Sequence, residues 1–141
     1  MGKTYQTTII NAPVDKVWKK IRGFHDLSWA PNVVTSCEPA GEKQGDQIGA
    51  KRILNGLFHE TLVAFSELER SFTYRIDDGP PPVSKNDVQN YYGSVRLFPV
   101  TENDTCFIEW SSSWESKGKE AEEFCHNIYL ALLEDLKKTF N

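Results

Sequence analysis

Between residues 33 and 115 apolar and polar positions alternate in short runs, and both flanks of that region repeat instead at helical spacing. Period two predicts strands and period 3.6 predicts helices. Residues 4–10 alternate weakly and read as a first strand. Val14, Val17, Trp18 and Ile21 then follow at i, i+3, i+4 and i+7, a buried helical stripe. Pro13 suits its first turn, Asn11 or Ala12 precedes as cap, and Gly23 ends it. The stretch "FHDLSWAPN" predicts a second short helix or turn, closed by Pro31. Strands are expected over 33–38, 47–54, 58–66, 71–76, 90–100 and 105–115. The segments between them, "PAGEKQGD", "NG", "ELER", "DDGPPPVSKND" and "TEND", are rich in turn formers.

Residues 119–140 contain neither Gly nor Pro and form about six helical turns. Ala121, Cys125, Ile128, Leu132 and Leu136 make one stripe, widened by Phe124, Tyr129 and Leu133. Such an amphipathic helix must lie on an apolar surface, and one face of the sheet is the large surface on offer. The gaps between strands are too short for crossover helices, so the strands form an antiparallel meander. A sheet of seven strands twists and curls. The expected architecture is therefore α+β: a seven-stranded curved antiparallel sheet wrapped around a long C-terminal helix. Two short helices are expected between strands 1 and 2, in one domain over residues 1–141.

Strand parity selects the residues that face inward. Tyr91, Gly93, Val95 and Leu97 share one face, as do Ile108, Trp110, Ser112 and Trp114; Phe72, Tyr74 and Ile76 also point in. Arg96 and Glu109 are left outside as a candidate surface pair. Around the Asn55-Gly56 turn the same rule turns two opposite charges inward. Arg52 has the parity of Ile48, Ala50 and Leu54, and Glu60 that of Phe58, Leu62 and Ala64. A bulge in either strand would flip the charges to solvent, but full reversal would expose Leu54, Phe58 and Leu62 while burying Lys51 and His59. Unpaired, each buried charge would cost several kcal/mol; paired with each other and with Tyr hydroxyls, that cost is largely offset.

Composition narrows the partners. At 141 residues the chain buries roughly 68 per cent of its unfolded surface, and its four Trp, five Tyr and eight Phe can line a hollow as readily as fill a core. A net charge of −4 and a pI near 5.4 disfavour nucleic acid. Lys16, Lys19, Lys20 and Arg22 read as a solvated helix face. Cys37, Cys106 and Cys125 form no disulfide framework and no CxxC pair, which points to a reducing compartment. "MGKTYQTTII" is too polar for a secretory leader and carries Gln6 where a myristoylation signal needs Ser or Thr. No run approaches the 18 apolar residues of a membrane span. The expectation is a cytoplasmic monomer or weak homodimer without stable membrane insertion. His25, His59 and His126 have no metal spacing with the cysteines, so neither metal nor cofactor is expected. Asp77-Asp78 reads as a turn, and the loop after it as a lid over a cavity.

The layout, together with "FHDLSWAPN", "SCEPAGE", "GAKRIL", "ETLVAF", "FTYRIDDGP", "YYGSV" and "IEW", resembles the polyketide cyclase/dehydrase and lipid transport family. That family lies within the START-like (SRPBCC) superfamily, which shares the helix-grip fold of the birch pollen allergens. The likeness is strongest to plant lachrymatory-factor synthases and their bacterial relatives, and looser to abscisic-acid receptors. It implies a sheet gripping the final helix around a ligand cavity. It also implies roles: the synthases' catalytic arginine and glutamate fall on Arg52 and Glu60, a cavity tyrosine on Tyr91 or Tyr92, and a cavity tryptophan on Trp110. Parity favours Tyr91. The hairpin "NGLFHE" is shorter than in the synthases, and the receptors' "SGLPA" gate is missing, so no substrate follows.

The expected cavity wall comprises Leu62, Tyr74, Tyr91, Trp110 and Trp114 from the strands, Trp29 from "FHDLSWAPN", and Phe124 and Ile128 from the final helix, with a small hydrophobic or amphipathic molecule as partner. Three functions remain open. One is binding of an apolar molecule by its polar head. Another is a cofactor-independent lyase, isomerase or cyclase, with Glu60 as general acid/base and Arg52 as oxygen anchor. The third is a protein-interaction module using the same groove.

Overall fold

The computed structural model describes residues 1–141. Its elements are β1 (Gly2–Ile10), α1 (Val14–Ile21), β2 (Cys37–Ala40), β3 (Lys51–Leu54), β4 (Phe58–Ser66), β5 (Ser71–Asp78), β6 (Val88–Val100), β7 (Thr105–Ser116) and α2 (Glu120–Thr139), with a 3-10 turn at Glu102–Asp104. All seven strands form one antiparallel sheet in the order β1-β7-β6-β5-β4-β3-β2. The meander from β2 to β7 follows the chain, and β1 closes the order beside β7. Helix α2 lies against the inward face, burying Ala121, Cys125, Tyr129, Leu132, Leu133 and Leu136. Strands β6 and β7 are the longest, and β6 shifts register between Gln89 and Tyr92, where Asn90 takes φ 53°. Such a bulge bends a strand and increases its twist, and here it lets β6 follow the curve of the sheet.

One helix, not two, separates β1 from β2. Residues 24–34 form successive tight turns, with Asp26 N bonded to Gly23 O, Ala30 N to Leu27 O and Val34 N to Ala30 O. The cause is local. A helix would need the Phe24 carbonyl as acceptor for Ser28 N, but Phe24 O accepts from Arg52 and Ser28 N donates to the Asp26 carboxylate. Competition of this kind from an Asp side chain is a common way for a helix to fail. The turns still bury Phe24, Leu27, Trp29 and Ala30. At α1 the cap position is Pro13 itself, with no side-chain cap.

Two strand expectations shift for related reasons. The strand expected over 33–38 lies at Cys37–Ala40, because Val33 and Val34 belong to the turns. Asn55 holds the intervening stretch: its side chain accepts from Thr35 N and Ser36 N and donates to Val33 O. The strand expected over 47–54 begins only at Lys51, since Gly49 takes φ 95°, a left-handed conformation suited to glycine. Ile48, expected inside, is consequently 55% exposed, whereas Ala50 and Leu54 are buried. In β4 the register shifts between Leu62 and Ala64. Past that bulge parity reverses, so Ala64 is exposed and Phe65 packs on Trp18 at 5.5 Å. Asp77 and Asp78 end β5 and do not form a turn. Arg96 stands opposite Glu109 in register, yet it pairs with Glu69, and Glu109 accepts from Tyr5.

One close approach governs the centre of the sheet. Gly93 sits directly across from Tyr74, and a Cβ at this position would overlap the Tyr74 ring and hydroxyl. An aromatic ring lying over a cross-strand glycine fixes the register of the two strands. Gly93→Ala is expected to lower stability by about 1–3 kcal/mol through overpacking, read from urea unfolding. A neutral result would mean that Tyr74 moves aside freely.

Candidate functional site

The Asn55-Gly56 turn sets the β3–β4 register so that Arg52 and Glu60 stand directly opposite each other. Their side chains share the inward face, 4% and 5% exposed. Arg52 Nε donates to Glu60 Oε1 at 2.8 Å, and Nη2 lies 2.6 Å from the same oxygen. Nη1 donates to the Phe24 carbonyl at 3.0 Å. The guanidinium lies 3.9 Å from the Phe24 ring centre and 5.4 Å from that of Tyr74, so aromatic faces flank the charge. Glu60 Oε2 receives no donor from the protein. Burial pushes the Glu60 carboxyl above the usual carboxylate value; Arg52 pulls the other way without cancelling it, and Asp77 adds to the rise.

A second polar group lies beyond the Tyr74 ring. Trp110 Nε1 donates to Tyr74 Oη at 3.0 Å, and Tyr74 Oη donates to Tyr129 Oη at 2.9 Å. Tyr91 and Tyr129 share a further hydrogen bond between hydroxyls. Burial holds all three phenols well above their ordinary pKa, so they are neutral throughout the physiological range. Cys125, on the same wall, is pushed up to about 11 by burial, which leaves an unreactive thiol.

Both groups line one cavity of about 180 Å³, whose wall is apolar apart from these side chains and Asn55. Of the residues expected there, Arg52, Glu60, Tyr74, Tyr91, Trp110, Phe124 and Ile128 are on the wall. Leu62, Trp29 and Trp114 are not. Trp114 stacks behind Tyr91 at 5.1 Å and 6° between planes. Trp29 packs against Trp110 at 6.4 Å with its indole nitrogen buried and unpartnered, and Leu62 is buried in the core. Tyr91 lines the cavity, whereas Tyr92 is 38% exposed and off the wall. His59 is exposed, and His25 hydrogen-bonds the Lys51 carbonyl, off the cavity wall.

Several wall residues were not anticipated. Tyr129 shows in the helical stripe only as a flanking apolar position, and its hydroxyl role depends on partners from two strands. Val33 and Val34 read as strand residues. Val83 comes from the Pro-rich loop, where no periodicity exists to assign a direction, yet it is 1% exposed and closes one side. That loop hangs on Asp78, whose carboxylate accepts from Gly79 N and Lys85 N.

The family model for polyketide cyclase / dehydrase and lipid transport matches residues 1–141. Among solved structures, a protein from Nitrosospira multiformis is 48% identical, with 99% of this chain and 97% of that one covered at a TM-score of 0.98. Protein XoxI from Bacillus cereus is 29% identical over 99% of this chain and 96% of its own, at 0.82. Major latex-like protein 151 of Panax ginseng is 18% identical over 99% and 97%, at 0.78, a likeness of fold. No curated protein sequence matches the chain.

Arg52→Ala strands a carboxylate in an apolar wall and is expected to destabilise by about 3–5 kcal/mol, whereas the joint apolar replacement R52M/E60L is near neutral or stabilising. Equal losses in chemical denaturation would show that the pair is not desolvated. Because the folded Glu60 pKa is raised above its ordinary 4.5, its protonated form favours the fold. The stability of the native chain relative to Glu60→Gln should therefore decline as pH rises from about 4.5 and level off once Glu60 ionises. A relative stability that climbs over that interval would mean Arg52 outweighs burial.

Proposed function

We propose that this chain, which belongs to the polyketide cyclase / dehydrase and lipid transport family, binds a compact apolar molecule by its polar head at the Arg52–Glu60 pair. One observation carries the reading: the wall is almost wholly apolar, and the only charges on it are these two, aligned by strand register. A buried ion pair seldom adds stability over apolar residues of similar volume, so its retention on a cavity wall favours a role toward a guest. The cavity is on the scale of the ~150 Å³ apolar cavities that admit a single benzene-sized ring, which suits a guest of about six to nine non-hydrogen atoms. A guest hydroxyl donates to the open Oε2, and remaining guanidinium N–H groups hold a neighbouring oxygen.

A second reading has its own support. Glu60 combines an open oxygen with a raised proton affinity, a combination that favours a carboxyl group able both to take and to return a proton. With Arg52 steadying the oxygen that gains charge, Glu60 would remove a proton from a carbon beside a carbonyl and deliver it to another atom of the same molecule. Nothing is oxidised or reduced, so the step suits isomerisation, dehydration or cyclisation.

Native mass spectrometry of purified protein should reveal a co-purified neutral guest in this size range, released by R52M/E60L. With that guest in hand, Glu60→Gln should lower turnover by about 10²–10⁴-fold if the protein is an enzyme. If it only binds, affinity for a neutral-headed guest should stay within about threefold. Retention of guest by R52M/E60L at unchanged affinity would overturn the pair as head anchor.

A further inference from the structure

Hydrogen counting in the tyrosine group leads further. Indole Nε1–H only donates, so the Trp110 bond to Tyr74 has a fixed direction. Tyr74 in turn donates to Tyr129, and a third bond joins Tyr129 to Tyr91. These four side chains own four donor hydrogens and make three bonds, so one O–H is left over, on Tyr91 or on Tyr129. All four are nine-tenths or more buried and all line the cavity. The other polar groups beside Tyr91 are Cys125, a weak acceptor, and Ser112, whose hydroxyl bonds Thr4 at 2.6 Å and keeps a spare lone pair but makes no hydrogen bond of ordinary geometry to Tyr91. A buried hydroxyl hydrogen without a strong acceptor carries a desolvation penalty that a guest oxygen removes.

We propose that this hydroxyl chain is a second binding point of the cavity, taking an uncharged acceptor oxygen of the carbonyl or ether class through the leftover O–H. The inference rests on the cavity being the ligand site. It makes the guest two-headed: one polar group at Arg52–Glu60, an acceptor oxygen at Tyr91–Tyr129, and an apolar body between. The Tyr74 ring separates the two points, with the guanidinium over its face and its hydroxyl in the chain. An anionic oxygen suits the tyrosine end poorly, because the phenols are neutral and the nearby guanidinium is engaged with Glu60.

The test uses acetophenone and cumene, equal in number of non-hydrogen atoms, of which only the first has an acceptor oxygen. Affinities are measured for R52M/E60L, which removes the charged point altogether, and for the same protein with Tyr74, Tyr91 and Tyr129 all changed to Phe. Acetophenone should bind R52M/E60L at least about fivefold more tightly than cumene, a ratio set by one neutral hydrogen bond. The triple Phe change should abolish that preference. Preference below fivefold in R52M/E60L, or preference that survives loss of all three hydroxyls, would overturn the proposal. The carbonyl stretch of ¹³C-acetophenone is a second readout, taken in protein with Arg52 and Glu60 intact. It should move toward the free-ketone frequency when the three tyrosines become Phe; an unmoved band would also overturn it. Failure here leaves the Arg52–Glu60 reading standing, because that reading is judged by the guest released when the pair is replaced.

Discussion

The cross-strand bond between Arg52 and Glu60 is the constraint around which this cavity is arranged. Strand register makes the two residues neighbours, and antiparallel pairing puts both side chains on one face. A one-residue slip of β3 against β4 would send them to opposite surfaces and would also turn Leu54 outward. The guanidinium reaches further, binding the Phe24 carbonyl and lying on the Phe24 ring, and it thereby ties the turns after α1 to the sheet. Chain conformation between β1 and β2 and polarity inside the cavity thus have a common origin.

Aromatic side chains keep the interior from collapsing onto that bond. Tyr74 lies over Gly93, Tyr91 stacks on Trp114, and Trp110 lies 5.2 Å from Tyr129 on the helix. Each ring is fixed at its face by another ring or by backbone, and all five are fixed at their polar edge by hydrogen bonds. Rings held at both ends cannot swing into free volume as a leucine would, so close packing around the wall coexists with space inside it.

Much of this was legible in the sequence, for reasons that differ by element. The bounds of β4 and the inward parity of β6 and β7 followed from alternation between clear turn signals. Parity also placed Arg52 and Glu60 on the inward face, and the three-residue loop Asn55–Leu57, which sets Leu54 opposite Phe58, keeps them in register there. Where alternation misled, a single backbone event intervened: Gly49 threw Ile48 outward, and the β4 bulge exchanged Ala64 for Phe65. The missing second helix depended on an acceptor being taken by Arg52, 28 residues away in sequence. A hydroxyl chain assembled from β5, β6, β7 and α2 has no local signature at all. Val83, in a loop of prolines, had none either.

The two sides of the cavity rim are moored unequally. Asn32 meets the buried Asp135 of α2 through both its amide and its side chain, and Asn55 fastens the stretch from Val33 to Ser36 to the hairpin. On the Val83 side the hydrogen-bond mooring is a single carboxylate, Asp78, and the short turn bonds of the loop itself, beside the buried Val83 side chain. Openings begin where the fewest ties must break. Local opening of the wall therefore breaks fewer hydrogen bonds on the proline-loop side than on the side held by Asn32 and Asn55.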